Sequence, residues 1–224
     1  MNLPIFKQAG LSLIELMISI AVGLIVVSGV IGMFVSTVTS NAENLKMTRL
    51  NQELRAVMDV MVQDIRRAGY RGDSTTATTP NPFTSTANGD DLTARTVNVA
   101  NDCISFTYDS TALDSPPVTA GSVDNADRFG YRRGLVGAVG VIQSRNGGAG
   151  ATDCAAGTWG DLTDSDSVDI TTLRFDVVSV PSPAGPSGAT RNIRNVTITL
   201  TGQLRGSNPA INRTITETVQ MVNS

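Results

Sequence analysis

The sequence predicts an α+β protein in which one long N-terminal α-helix packs on an antiparallel β-sheet head. Three observations carry that expectation. No proline interrupts the chain from Leu11 to Ala68, so nothing in that stretch removes a helical hydrogen bond. Apolar residues fill the first half of this stretch and recur at helical spacing through the second. Beyond residue 72 the composition turns to Ser, Thr, Asn, Asp and Gly, with apolar residues at alternate positions, the period of a half-buried strand. A chain of 224 residues can bury a substantial core, and its length allows one or two domains.

Composition excludes several function classes. The chain has 17 Lys+Arg against 20 Asp+Glu, an imbalance too small to name a partner and opposed to binding by phosphate neutralisation. No direct nucleic-acid partner is expected. Histidine is absent, which removes Ser-His-Asp and Cys-His catalysis, imidazole metal sites and the usual near-neutral acid/base group. With no nucleophile motif and no phosphate loop either, the chain reads as neither an enzyme nor a cofactor binder.

The first half of the helix reads as a membrane span. No ionisable residue occurs from Leu16 to Asn41, and the apolar segment from Leu11 to Val38 is about 28 residues, roughly 42 Å as a helix. A bilayer core of roughly 30 Å needs about 20 such residues. Orientation does not follow from basic residues, since Lys7 lies on one side and Lys46 and Arg49 on the other. In the second half Met47, Leu50, Leu54, Val57, Met61, Ile65 and Ala68 form an amphipathic stripe, with Arg49, Glu53, Asp59, Gln63 and Arg67 off that face. Gly69 is the expected stop, giving a helix of about 59 residues and roughly 88 Å. A coiled coil is the alternative for this half, but the stripe soon yields to β-patterned sequence.

Three readings of the N-terminus compete. Ser40-Asn41-Ala42 has the small-x-small form of a secretory cleavage site that would leave Glu43 first, although the apolar run is too long for such a signal. A plain anchor explains the length but leaves Glu15 inside the span, at a cost of about 2.5 kcal/mol or more, unless it snorkels to the interface. The third reading rests on Lys7-Gln8-Ala9-Gly10 followed at once by Leu11-Ser12-Leu13-Ile14-Glu15-Leu16. This arrangement resembles the class III signal of type IV prepilins, cut after a glycine by a dedicated peptidase that methylates the new N-terminus. The resemblance implies cleavage between Gly10 and Leu11, N-methylation of Leu11, and an assembly role for Glu15. Cutting there creates a positive amino group four residues from Glu15, on the same helical face, available within its own chain or to a neighbour. Family members most often carry phenylalanine where this chain has Leu11.

Gly23, Gly29 and Gly32 lie within the apolar segment, where glycine allows close helix packing but is also simply common. At the position of Gly32 many major pilins carry proline, so the resemblance points away from a major subunit. Asp64-Ile65-Arg66-Arg67-Ala68-Gly69-Tyr70 resembles the helix-end signature of PilW-type minor pilins and of the related J-type minor pseudopilins of type II secretion. Read physically, the same segment is a cap, with Arg66 and Arg67 at the negative end of the helix dipole, Gly69 in the turn and Tyr70 tucked on the head.

In the head, Ile104, Phe106 and Tyr108 share one strand face, as do Leu173, Phe175 and Val177, and again Val196, Ile198, Leu200 and Leu204. The last strand and Ile215-Val219-Met221 flank a hairpin connection at residues 205–209, and weaker strands are expected near Phe129–Tyr131 and Val139–Ile142. Loops are expected at residues 73–95, 109–127, 143–167 and 181–190, the last including Pro181 to Pro186. On the topology that the resemblance implies, the head lies on the oxidising side. Cys103 and Cys154 are then expected to form a disulfide closing roughly 50 residues and contributing on the order of 4 kcal/mol. The alternative, a redox-active pair, lacks Cys-x-x-Cys spacing. Asp161, Asp164, Asp166 and Asp169 raise calcium as an alternative to a solvated acidic loop, but without EF-hand spacing no metal is assigned. Trp159 is read either as a partner anchor or as the cover of a loop core.

The expected organisation is a leader at residues 1–10, a transmembrane and filament-core helix at 11–38, its amphipathic continuation at 39–72 and a β-rich head at 73–224. The resemblance implies a minor pilin that primes pilus assembly and resides at or near the tip. Its partners would be the prepilin peptidase, other minor pilins, the major pilin, the inner-membrane assembly platform and membrane lipid. It would span the inner membrane once with a periplasmic head before entering the pilus. The alternatives are a J-type pseudopilin initiating a secretion pseudopilus and a tip adhesin that binds through its loops.

Overall fold

The protein, described here from a computed structural model, is defined at Gly10 and residues 12–72, 81, 83, 100–110, 123–148, 154–181, 192–207 and 210–221. It divides into two compact units, Met1–Lys46 and Met47–Ser224. Helix α1 spans Leu13–Arg67, 55 residues, within two residues at each end of the expected limits, a margin normal for helix termini.

In the first unit every described side chain is exposed, and the helix is long and apolar enough to cross a membrane. Four of its hydroxyls bond to its own backbone. Ser19 Oγ donates to the Glu15 carbonyl (2.7 Å), Thr37 to Met33 (2.9 Å), Thr39 to Val35 (2.8 Å), and Ser28 to Leu24. Each is an i→i−4 bond that hides a polar group an apolar solvent would penalise.

The second unit contains the rest of α1 and two antiparallel sheets. Strands β1 (Cys103–Thr107), β2 (Arg128–Val136), β3 (Val139–Asn146) and β4 (Trp159–Asp161) form one in that order. Strands β5 (Val168–Pro181), β6 (Asn192–Leu204) and β7 (Asn212–Met221) form the other. Helix residues Leu50, Leu54, Val57, Met58, Met61, Val62 and Ile65, with Ala68 just past the helix end, belong to one buried cluster with Ile104, Phe106, Tyr131 and Ile142 of the first sheet and Ile170, Phe175, Val196, Ile198 and Leu200 of the second. The expected single sheet is therefore two, both packed on the same helical stripe. Met47 falls outside that stripe, being 48% exposed, while Met58 and Val62 join it and widen the buried face to what a helix in contact with two sheets requires.

The sheets meet along a polar seam beside a β-bulge between Ile170 and Thr172. Arg133 Nε donates to the Ile170 carbonyl (2.7 Å), the Gly140 amide to Asp169 Oδ1 (2.8 Å), and the Phe175 amide to the Asn101 carbonyl (2.8 Å). A Cβ on Gly140 would lie 2.0 Å from the Ile170 oxygen, so only glycine lets the seam close.

Several loop expectations need correction. Residues 143–167 contain the end of β3 and all of β4, because Trp159, Gly160 and Asp161 pair with Arg145, Ser144 and Gln143. Pro181 is the last residue of β5, opposite Asn192, a strand-end position that needs no amide donor. Residues 182–186 lie outside the described residues, as do 73–80 and 84–95. A short 3-10 turn, Asn125–Asp127, leads directly into β2, and residues 111–122 lie outside the described residues.

The seam yields a controlled test. Gly140→Ala should destabilise the head by about 1–3 kcal/mol through overpacking against backbone, whereas Gly160→Ala, with nothing within 4 Å of its Cβ, should leave the denaturation midpoint unchanged. Equal midpoints for the two variants would refute the close approach.

Candidate functional site

The residues singled out at the N-terminus occupy the start of α1. The Ser12 carbonyl accepts the Glu15 and Leu16 amides at 3.0 and 3.2 Å, so Ser12 caps the helix and Glu15 stands in its first turn. A carboxylate there is favoured by the helix dipole, and the Ser-x-x-Glu spacing is itself a helix-start signature. Gly10 is exposed just before this turn, while Leu11 lies outside the described residues. Nothing in the first unit lies within 4 Å of a Cβ built on Gly23, Gly29 or Gly32.

The other end of α1 is tied to the head by the segment singled out in the sequence. Asp64 accepts a short hydrogen bond from the Tyr131 hydroxyl of β2. Gly69, at φ 75°, leaves the helix in the left-handed region that glycine tolerates best. Its amide donates to the Thr107 carbonyl at 2.8 Å, and the Asp109 amide donates to the Tyr70 carbonyl at 2.9 Å. Asn81 Nδ2 covers the Gly69 carbonyl at 2.8 Å. The backbone of the signature is thus stitched to the end of β1. Tyr70 itself is not tucked away, for 43% of it is exposed, and only its backbone is held.

Beneath this junction Phe106, Tyr108, Phe129 and Tyr131 form an aromatic group, with the Tyr108 and Phe129 rings stacked at 4.1 Å. Burial and the neighbouring Asp64 charge raise the Tyr131 pKa far above the ordinary phenol value. Burial, again with Asp64 adding, raises that of Tyr108, against the pull of Arg67. Asp64 stood inside the quoted signature, but its role depends on Tyr131, sixty-seven positions away, and no local pattern announces such a pair.

The two cysteines form a disulfide, Cys103–Cys154, with Cα atoms 6.2 Å apart. Arg132 Nη1 donates to the Cys154 carbonyl (3.0 Å) and its guanidinium lies 4.3 Å from the centre of the Trp159 ring. Burial lowers the Arg132 pKa. Trp159 Nε1 donates to the Ala156 carbonyl at 3.0 Å, and the buried Arg145 donates to the carbonyls of Gly147 and Gly148. Trp159 therefore covers a loop core built around arginines that sequence patterning did not single out.

The structure does not converge the aspartates. Asp161 accepts from Gln143, Asp164 from the Asp166 amide and Ser167, and Asp169 from the Gly140 amide. Among the described residues no three metal-ligating side chains form a group. Glu53 of α1 accepts the Asp164 amide at 3.4 Å, and burial raises its pKa.

An apolar N-terminal helix on an antiparallel β head, with a processing-type boundary at its start, defines a prepilin-type protein of pilin-like architecture. Two family models bear this out. The prokaryotic N-terminal methylation motif matches residues 5–31, and PpdB, prepilin peptidase-dependent protein B, matches residues 43–221. The chain belongs to the prepilin peptidase-dependent protein B family. No curated protein and no solved structure matches it. These families are structural and pilin-type, and together with the apolar helix they fit membrane anchoring with a soluble head, processing by prepilin peptidase and pilin-type partners.

The junction predicts a pH dependence. Tyr131 stays protonated in the fold, whereas the unfolded chain ionises near the ordinary phenol value of about 10, so its stabilisation is full below that pH and is lost as pH rises above it. Tyr131→Phe should cost about 1–3 kcal/mol at neutral pH, as Asp64 loses a donor, and should flatten the alkaline slope of a denaturation series, leaving the part due to Tyr108. An unchanged slope would show that the phenol does not titrate with unfolding.

Proposed function

We infer that the protein is a minor type IV pilin that helps prime pilus assembly and is incorporated at or near the pilus tip. The observation that carries this reading is the position of Glu15, in the first turn of a membrane-length helix just beyond the Gly10–Leu11 boundary. The leader is residues 1–10, removed by prepilin peptidase, and Leu11 becomes the methylated N-terminus. Residues 11–38 form the transmembrane and later filament-core segment, 39–72 its amphipathic continuation, and 73–224 the head.

Mechanism follows from the electrostatics of this arrangement. A lone carboxylate in an apolar medium costs about 2.5 kcal/mol or more. A neighbouring subunit's cleaved N-terminus supplies the positive charge that offsets this cost, and only when the two stems are in register. Gly23, Gly29 and Gly32 let those stems approach closely. The subunit begins in the inner membrane, spanning it once with its head in the periplasm and its stem in lipid. There it joins other minor pilins, and the assembly platform adds the major pilin beneath them.

The deciding measurement is intact mass and N-terminal analysis of the membrane-extracted protein, with and without prepilin peptidase. A chain starting at methylated Leu11 only when the enzyme is present is expected, whereas a start at Met1 or Glu43 would refute the reading. Glu15→Val should be processed normally yet lower pilus number. Loss of secretion with pili intact would instead assign the chain to a secretion pseudopilus.

A further inference from the structure

Two sheets present four edges, and three of them are blunted. β1 is five residues long and buried throughout, and β4 is three residues long. β5 carries the bulge and is bonded to the first sheet through Asp169, Ile170 and Phe175. The fourth edge, β7, is ten residues long, keeps regular register with β6 and contains no proline. No described segment pairs with its outer side. A long, regular, uncovered edge is a template for another strand, because alternate residues direct their N–H and C=O groups away from β6.

The side chains on β7 specify which strand. Arg213, Ile215 and Glu217 lie on one face of the strand, opposite Gly202, Leu200 and Ile198. Arg213 and Glu217 are exposed, and among the described residues the ion pair formed is Arg174–Asp176, which involves neither. Arg55 and Asp59 of α1 line the groove beside Glu217, with Met58 and Ile215. The run Arg213-Thr214-Ile215-Thr216-Glu217 is its own antiparallel complement. Paired about Ile215, Arg213 of each copy faces Glu217 of the other, Thr214 faces Thr216, and Ile215 faces Ile215. Opposite charges directly across a ladder stabilise it and like charges disrupt it, and a two-fold axis makes each contact twice.

We propose that β7 pairs antiparallel with β7 of a second copy of this chain, about a two-fold axis at Ile215, with reciprocal Arg213–Glu217 ion pairs. The pairing joins the two three-stranded sheets into one of six strands. It places two identical heads side by side in the membrane before assembly and does not depend on leader cleavage.

The test uses full-length protein in its own membranes, with and without prepilin peptidase. Two tagged copies are co-expressed, one carrying Thr214→Cys and the other Thr216→Cys. Because each of these positions faces the other across the axis, mild oxidation should link the mixed pair at least about fivefold more than either variant with itself. Arg213→Glu in both copies should lower that yield about tenfold. Arg213→Glu in one copy with Glu217→Arg in the other should restore it, since all four charges then face opposites, and this rescue excludes misfolding as the cause of the loss. Equal linking in every combination, no linking at all, or linking only to a different protein would overturn the proposal.

Discussion

Burial of one face of α1, from Leu50 to Ile65, is the contact on which the rest of the head depends. The two sheets have separate hydrogen-bond ladders, and among the described residues neither has a second layer of strands to cover its inner face. Phe106 and Ile104 from one and Phe175, Val196, Ile198 and Leu200 from the other all reach the same helical stripe. Each such side chain contributes about 1.5–3 kcal/mol only while it is covered. A seam of three polar bonds holds the sheets together beside the helix, but bonds of that kind add about 1 kcal/mol each. Hydrophobic cover from α1 is therefore the larger effect, and the seam sets the geometry within which it acts.

The junction after Asp64 shows how an abrupt change of environment is made rigid. A helix end leaves backbone groups without intrahelical partners, and the turn that follows α1 finds partners in the head. Asn81 donates to the Gly69 carbonyl and the Tyr131 hydroxyl to the Asp64 carboxylate, while the Thr107 carbonyl accepts the Gly69 amide. Arg66 and Arg67 contribute as charges near the negative end of the dipole, and Arg67 also faces Tyr108. The signature thus joins helix to strand through its acid and its glycine more than through its arginines.

Much of this was legible in the sequence, because periodicity records which face an element buries. The family was legible through the resemblance of the segments Lys7–Leu16 and Asp64–Tyr70, whereas the helix and the strands around Phe106, Phe175 and Ile198 follow directly from periodicity. Division into two sheets does not, because alternation gives the buried face of a strand but not its neighbour. Strand β4 was hidden for a related reason, since Trp159-Gly160-Asp161 is too short to show a period and pairs only because β3 runs beside it. Tyr70 misled for the opposite reason: an aromatic after a helix stop suggests burial, but its backbone is what the fold uses. Asp64 and Arg132 act through partners distant in sequence, and one chain contains no signal for such pairs.

The polar groups of the apolar helix separate into two kinds, and the distinction bears on specificity. The hydroxyls of Ser19, Ser28, Thr37 and Thr39 each donate to a carbonyl one turn back, so in lipid or in a protein core they make no demand on a neighbour. Glu15 has less recourse, because an ionised carboxylate only accepts and the helix start offers it amide donors and a partial charge but no cation. Its first-turn position gives it the partial positive charge of the helix start, worth about 0.3–1 kcal/mol against a penalty of about 2.5 kcal/mol or more. On the proposed function, a cation from outside the helix meets the shortfall. On that reading, a stem in which Ser19, Ser28, Thr37 and Thr39 are satisfied internally concentrates its requirement for a partner at Glu15, and a requirement so localised selects the axial register of whatever packs beside it.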